Sequence, residues 1–173
     1  MIVGKPFLSA DEITRKVAEL ADRISRDYEG KDLVAIGILK GAFMFFSDLV
    51  RYIRIPMTID FFIASSYLKD ETSGEVKMHY DVREDVAGKD VLLIDDIVDT
   101  GVTLNYLRER VLMRGPRSLR ICSFLDKTER REVEVPIDYV GFRIPNEFVV
   151  GYGLDYDNKF RNLPYISFFK KTA

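Results

Sequence analysis

The sequence predicts an α/β domain: a doubly wound, mainly parallel sheet flanked by helices, with a small hood from the chain ends. Three observations carry that expectation. Short apolar runs rich in β-branched residues recur along the chain, as in LVAIGIL and MTIDFFIA. Helical patterns separate them, the rhythm of βαβ units. Most of these runs end in a polar cluster, and open α/β sheets hold ligands beyond the carboxyl ends of their strands.

Taken in order, Ser9 followed by Glu12 has the form of a capping box, and Ile13, Val17, Leu20, Ala21, Ile24 and Tyr28 recur on one face up to Gly30. Leu33 to Leu39 reads as a buried strand. AFMFFSDLVRYI is a helix stopped before Pro56, and Met57 to Ala64 is the next strand. The stretch 65–87 is polar and weakly patterned, so a long loop or a mobile hairpin is expected there. Asp90 to Ile94 is a strand, Val102 to Met113 a helix and Leu119 to Leu125 a strand. Tyr139 to Phe142, Phe148 to Val150 and Tyr165 to Phe169 are shorter runs. One domain over 1–173 follows, with its core at about 30–150 and its hood from the N-terminal segment and 151–173.

Composition narrows the function. With 47% hydrophobic and 31% charged residues, the 173-residue chain is an ordinary globular protein rather than a disordered one. A net charge of −2 argues against broad binding to nucleic-acid phosphates. The lone Cys122 excludes an internal disulfide and fits a reducing compartment. The start, MIVGKPFLSADE, lacks a basic segment followed by an apolar stretch, so no leader is expected. No window approaches the ~18 apolar residues of a membrane span. A cytoplasmic enzyme or binding protein is the expectation.

The chemistry concentrates in VLLIDDIVDTGVTL, Val91 to Leu104. A turn that opens a helix is a natural phosphate seat, because free N–H groups and the helix dipole point at the anion. Yet Asp95, Asp96 and Asp99 stand beside it. The spacing is not that of a Walker loop or a dinucleotide-binding fingerprint, nor the D-x-D-x-T of an aspartate phosphatase. A ligand with two faces removes the conflict. Asp99, Thr100, Gly101, Val102 and Thr103 would wrap a phosphate, while Asp95 and Asp96 would meet ribose hydroxyls or Mg²⁺.

That stretch closely resembles the phosphoribosyl pyrophosphate (PRPP) motif of type I phosphoribosyltransferases. LKG at Leu39-Lys40-Gly41, SSY at Ser65-Ser66-Tyr67, Lys127 and VGFRIPNEFVVGYGLDYDNKFRNLPYI are similar to the 6-oxopurine branch in order and spacing. The likeness spans roughly 7–169 and implies the type I phosphoribosyltransferase fold. It implies a purine salvage enzyme moving the 5-phosphoribosyl group from PRPP to N9 of hypoxanthine or guanine. Homodimers or homotetramers are implied as well, and no nucleic-acid or membrane partner.

The resemblance also implies roles. Asp99 would be the general base taking the N7 proton; as a bare sequence feature it is equally a helix N-cap for Val102 to Met113. Asp95 and Asp96 would hold the ribose hydroxyls directly or through Mg²⁺, although many family members carry glutamate in place of Asp95. Lys40, Gly41 and Arg161 would bind pyrophosphate, and Ser66 and Tyr67 would begin the lid. Lys127 would reach O6 of the base, Phe148 would stack on it and Val149 would offer it backbone. Without the resemblance, Lys127 reads as a surface partner of Asp126 or Glu129, and Phe148 as a core aromatic. Asp155 would bind a second Mg²⁺ near the purine C2 edge. The alternative is a nucleic-acid-binding regulator on the same fold, which would want a basic face and no base pocket. A phosphorelay receiver domain would carry its acidic pair after the first strand, whereas this pair comes after residue 90. His79, the only histidine, receives no role.

Overall fold

A computed structural model describes residues 2–66 and 76–170. Six strands form the main sheet in the order β4(Val76–Tyr80), β3(Met57–Ser66), β2(Leu33–Leu39), β5(Asp90–Val98), β6(Ser118–Asp126), β7(Tyr139–Arg143). All neighbours are parallel except β3 and β4. β2 is buried along almost its whole length, which explains its unbroken apolar run: a central parallel strand meets protein on both faces.

The two faces divide by alternation. Leu33, Ala35 and Leu92 pack on one side with α1(Ala10–Asp27) and α2(Phe43–Tyr52). Val34, Ile36 and Leu93 pack on the other with Leu104, Leu107 and Val111 of α3(Val102–Leu112). The winding is therefore double, as the sequence predicts. The capping box is present as expected: Ser9 N–H donates to Glu12 at 2.8 Å and Glu12 N–H donates to Ser9 Oγ at 3.3 Å.

From β2 the chain crosses to β3 on one side, and from β5 it crosses to β6 on the other. The crevice between the carboxyl ends of β2 and β5 is thus the topological switch point, where doubly wound sheets take their ligands. It joins Lys40-Gly41 to the acidic motif before any side chain is considered.

Three stretches differ from the sequence reading. β5 runs four residues past Ile94 because Asp95, Ile97 and Val98 continue the register with Ser123, Leu125 and Asp126. The acidic pair therefore stands on a strand rather than in a turn. Val76–Tyr80 forms an antiparallel edge strand on β3 with alternating exposure, in keeping with the hairpin of the two forms expected there. After it, 81–87 is pinned down: Asp60 accepts from Arg83 and Glu84 N–H at 2.7 and 2.9 Å, and Val82 and Val86 are buried. Of the two expected lid residues, Tyr67 lies outside the described residues, and of Ser66 only the backbone is described.

The third difference is β1(Ile2–Leu8), unexpected because Gly4 and Pro6 break its pattern. It pairs antiparallel with β9(Ile166–Lys170), with register shifts around Pro6, and β9 pairs with β8(Val149–Val150). Proline is tolerated on such an edge strand. The hood is this three-stranded sheet, made from both ends of the chain.

Candidate active site

A cleft of about 460 Å³ opens at the switch point, within the size range of small-molecule sites. The β2 end supplies Lys40 and Gly41, the β5 end Asp96 and Asp99, the β6 end Lys127, and the hood Phe148, Val149, Asp155 and Arg161. Nine of the expected site residues thus share one wall-to-wall space. Asp95 and the bend Thr100, Gly101, Val102 and Thr103 lie outside its lining.

The bend is nonetheless built for an anion. α1 begins with a side-chain cap and two acids in its first turn. α3 begins at Gly101 with no side-chain cap and no acid in its first turn. Val102 N–H donates to Thr100 Oγ1 at 3.4 Å, the N-cap residue supplies no side chain to the N–H groups that follow, and the dipole favours a negative charge there. Gly101 has φ 85°, and a Cβ on it would meet the Val133 carbonyl at 2.3 Å, so the bend needs glycine on both counts. The expected capping role of Asp99 is overturned: Gly101 is the N-cap, and Asp99 turns elsewhere.

Asp99 Oδ2 accepts from Arg130 Nη1 at 3.0 Å, while its Oδ1 is buried and reached by no donor among the described residues. Asp96 N–H donates to Asp95 Oδ1 at 3.0 Å. Burial pushes both carboxyls above the usual range, and at Asp95 the Asp96 charge adds to it. Gly41 lies against Asp96 so closely that a Cβ there would sit 2.0 Å from Oδ2. The peptide between Leu39 and Lys40 is cis.

Lys127 is buried, and no carboxylate lies within 4.0 Å of its ammonium among the described residues. Its sequence-expected partner Asp126 is bound to Arg131 and, at 3.8 Å, to Arg143. Burial holds the Lys127 amine below its ordinary pKa, opposed by the nearby Asp99 charge. Phe148 is 50% exposed, not a core aromatic. Tyr156 and Phe169 meet it at 5.8 and 5.9 Å in edge geometry, which steadies the ring beside the cleft.

Asp155 and Arg161 form an ion pair at 2.7 Å; Asp155 also accepts from Asn158 N–H, and Arg161 donates to the Gly153 carbonyl at 2.6 Å. Among the described residues no group of three or more His, Cys, Asp and Glu forms a ready metal cage. Asp95 and Asp96 still suit a hard dication: they are oxygen donors whose crowding a positive charge would relieve. Mg²⁺ commonly takes one or two carboxylates and completes its shell with substrate phosphates and water.

Two contacts had no signal in the sequence. Arg130 reaches Asp99 across 31 residues, from a run of charges that reads as solvated surface. His79 lies 2.8 Å from Ser65 Oγ on the cleft wall, at the β3–β4 register shift. There β4 spends one extra residue, and such bulges re-aim side chains.

Comparison with known proteins agrees with this geometry. Residues 7–157 match the phosphoribosyl transferase domain family. The hypoxanthine phosphoribosyltransferase of Salmonella typhimurium is 49% identical over 158 residues, covering 90% of this chain and 89% of that protein. The hypoxanthine-guanine phosphoribosyltransferase of Mycobacterium bovis is 45% identical, covering 92% and 83%. The crystal structure of a Bacillus anthracis hypoxanthine-guanine phosphoribosyltransferase superposes with a TM-score of 0.93 at 45% identity, covering 98% of this chain and 100% of that one.

Proposed function

The chain belongs to the phosphoribosyltransferase family, and from that premise we propose that it transfers the 5-phosphoribosyl group of PRPP to N9 of hypoxanthine or guanine. The products are IMP or GMP and pyrophosphate, which makes it a purine salvage enzyme. The observation that carries the reading is the switch-point cleft, which sets Asp96, Asp99, Lys127 and Arg161 around one volume. Net charge −2 and an intact base wall give the nucleic-acid regulator no support.

The uncapped start of α3 receives the 5′-phosphate through main-chain N–H groups and the Thr100 and Thr103 hydroxyls. Asp95 and Asp96 orient the ribose hydroxyls and would hold one Mg²⁺, and Asp155 would hold a second; the contribution of the metal is to neutralise charge on the pyrophosphate. Lys40, Gly41 and Arg161 receive the pyrophosphate, Arg161 with a planar fork already oriented by Asp155 and Gly153. Phe148 stacks on the purine and Val149 offers backbone to its edge.

Lys127 donates to O6. An ammonium can only donate, so a 6-amino purine, which also donates there, is disfavoured. In the transfer, N9 bonds to C1′ as the bond from C1′ to the pyrophosphate oxygen breaks. The electron pair leaves with pyrophosphate, and the N7 proton passes to Asp99. The same carboxylate stabilises the positive charge that develops on the sugar. Self-association belongs to the proposal too: the shallow apolar groove lined by Phe43 and Val50 of α2 with Ile59 and Phe61 of β3 is one apolar face available for it.

The test is direct. Purified protein with PRPP and Mg²⁺ is offered hypoxanthine, guanine, xanthine and adenine in turn, and nucleotide formation is followed by absorbance. IMP and GMP should form. Failure with both 6-oxopurines, or a preference for adenine, removes the assignment.

A further inference from the structure

Asp99 is held asymmetrically, and the asymmetry has a cause outside the acidic motif. The carboxylate torsion of an aspartate has a broad, roughly two-fold well, so rotamer preference alone does not choose which oxygen faces a ligand. A partner must choose. Here Arg130 Nη1 occupies Oδ2 at 3.0 Å, and Arg131 Nε donates to the Asp99 carbonyl at 3.3 Å. Oδ1 is left buried without a protein donor among the described residues, a costly state for an ionised oxygen unless a ligand supplies the proton. Lys127, the other cation that feels the Asp99 charge, makes no ion pair with it.

We propose that Arg130 is a positioning residue for the general base: by holding Oδ2 it fixes the rotation of the Asp99 carboxylate and leaves Oδ1 as the oxygen that takes the purine proton. Arg130 closes the single-turn 3₁₀ helix Thr128–Arg130 directly after Lys127. The contact that aims the base and the lysine that reads O6 therefore sit on one short turn, so a purine that engages Lys127 meets an Asp99 already oriented. The step is balanced as written above, with the N7 proton arriving at Oδ1. The inference rests on the proposed base role of Asp99.

Both partners of the ion pair are substantially exposed, with side chains 48% and 35% accessible, so truncating Arg130 opens no core. The experiment is a double-mutant cycle of R130A, D99N and the two together, with R130K as the conservative variant, each measured for kcat and for KM of PRPP and hypoxanthine. R130A should lower kcat about tenfold, a fraction of the hundredfold or more that a general base supplies, with KM for PRPP within about twofold. R130K should recover most of the loss, and R130A should cost nothing further in the D99N background. A wild-type kcat for R130A, a loss confined to KM, or the same tenfold loss on top of D99N each overturns the proposal. An unimpaired D99N would instead remove the base assignment itself, and this inference with it.

Discussion

The two ends of β5 carry aspartates in opposite circumstances. At the entry, Asp90 is 3% exposed and fully satisfied: Arg117 Nε donates at 3.0 Å with Nη2 beside it, and Ser118 Oγ donates at 2.6 Å. The Arg117 bond holds its carboxyl below the usual range. At the exit, burial pushes Asp95 and Asp96 upward, with the Asp96 charge adding to it at Asp95, and Asp99 keeps an oxygen with no donor among the described residues. One strand thus holds an acid the fold has satisfied and acids it has left wanting. Unmet electrostatic demand, not burial or charge by itself, separates the reacting end from the structural one.

Substitutions at each end should break apart accordingly. Asp99→Asn should lower kcat about a hundredfold or more while leaving PRPP affinity nearly intact, read by steady-state kinetics against direct PRPP binding. Equal loss in both would erase the base role. Gly41→Ala should come next, because its methyl must displace the Asp96 carboxylate, raising KM for PRPP by about tenfold or more. An unchanged KM would show that Asp96 does not face the sugar.

Lys127→Ala should shrink the preference for 6-oxo over 6-amino purines by about ten- to hundredfold, the worth of a charge-assisted hydrogen bond. Unaltered selectivity would move base reading elsewhere. Asp90→Asn should leave kcat untouched and cost about 1–3 kcal/mol of stability in denaturant melts. The sign with pH is fixed. A carboxyl whose folded pKa is lowered stabilises the fold above its unfolded value of about 3.9, and that contribution fades as pH falls through the folded value. Wild type and Asp90→Asn should therefore converge in stability in strong acid, and a gap that persisted there would point to packing instead.

What the sequence disclosed was whatever depends on local pattern. The capping box and the β2 run are encoded within a few neighbouring residues, and each stands where it was expected. What it hid depends on distant partners. β1 exists because β9 is there to pair with it, although Gly4 and Pro6 speak against a strand. β5 continues through two aspartates because β6 continues beside it. Asp99 looks like a cap from its neighbours, but Gly101 takes that position and Asp99 pairs with Arg130, 31 residues on. Lys127 looks like a surface partner of Asp126, which Arg131 has already taken.

The hood adds a matter of timing. The phosphate side of the cleft draws on β2, β5 and the start of α3, all made by residue 104 or so. The strand that carries Val149 has nothing to pair with until Ile166 to Lys170 has emerged to bridge it to the opening residues. The seat of the 5′-phosphate could thus form during synthesis before the strand that carries Val149 has its partner, with the pyrophosphate clamp Arg161 arriving only alongside that late strand.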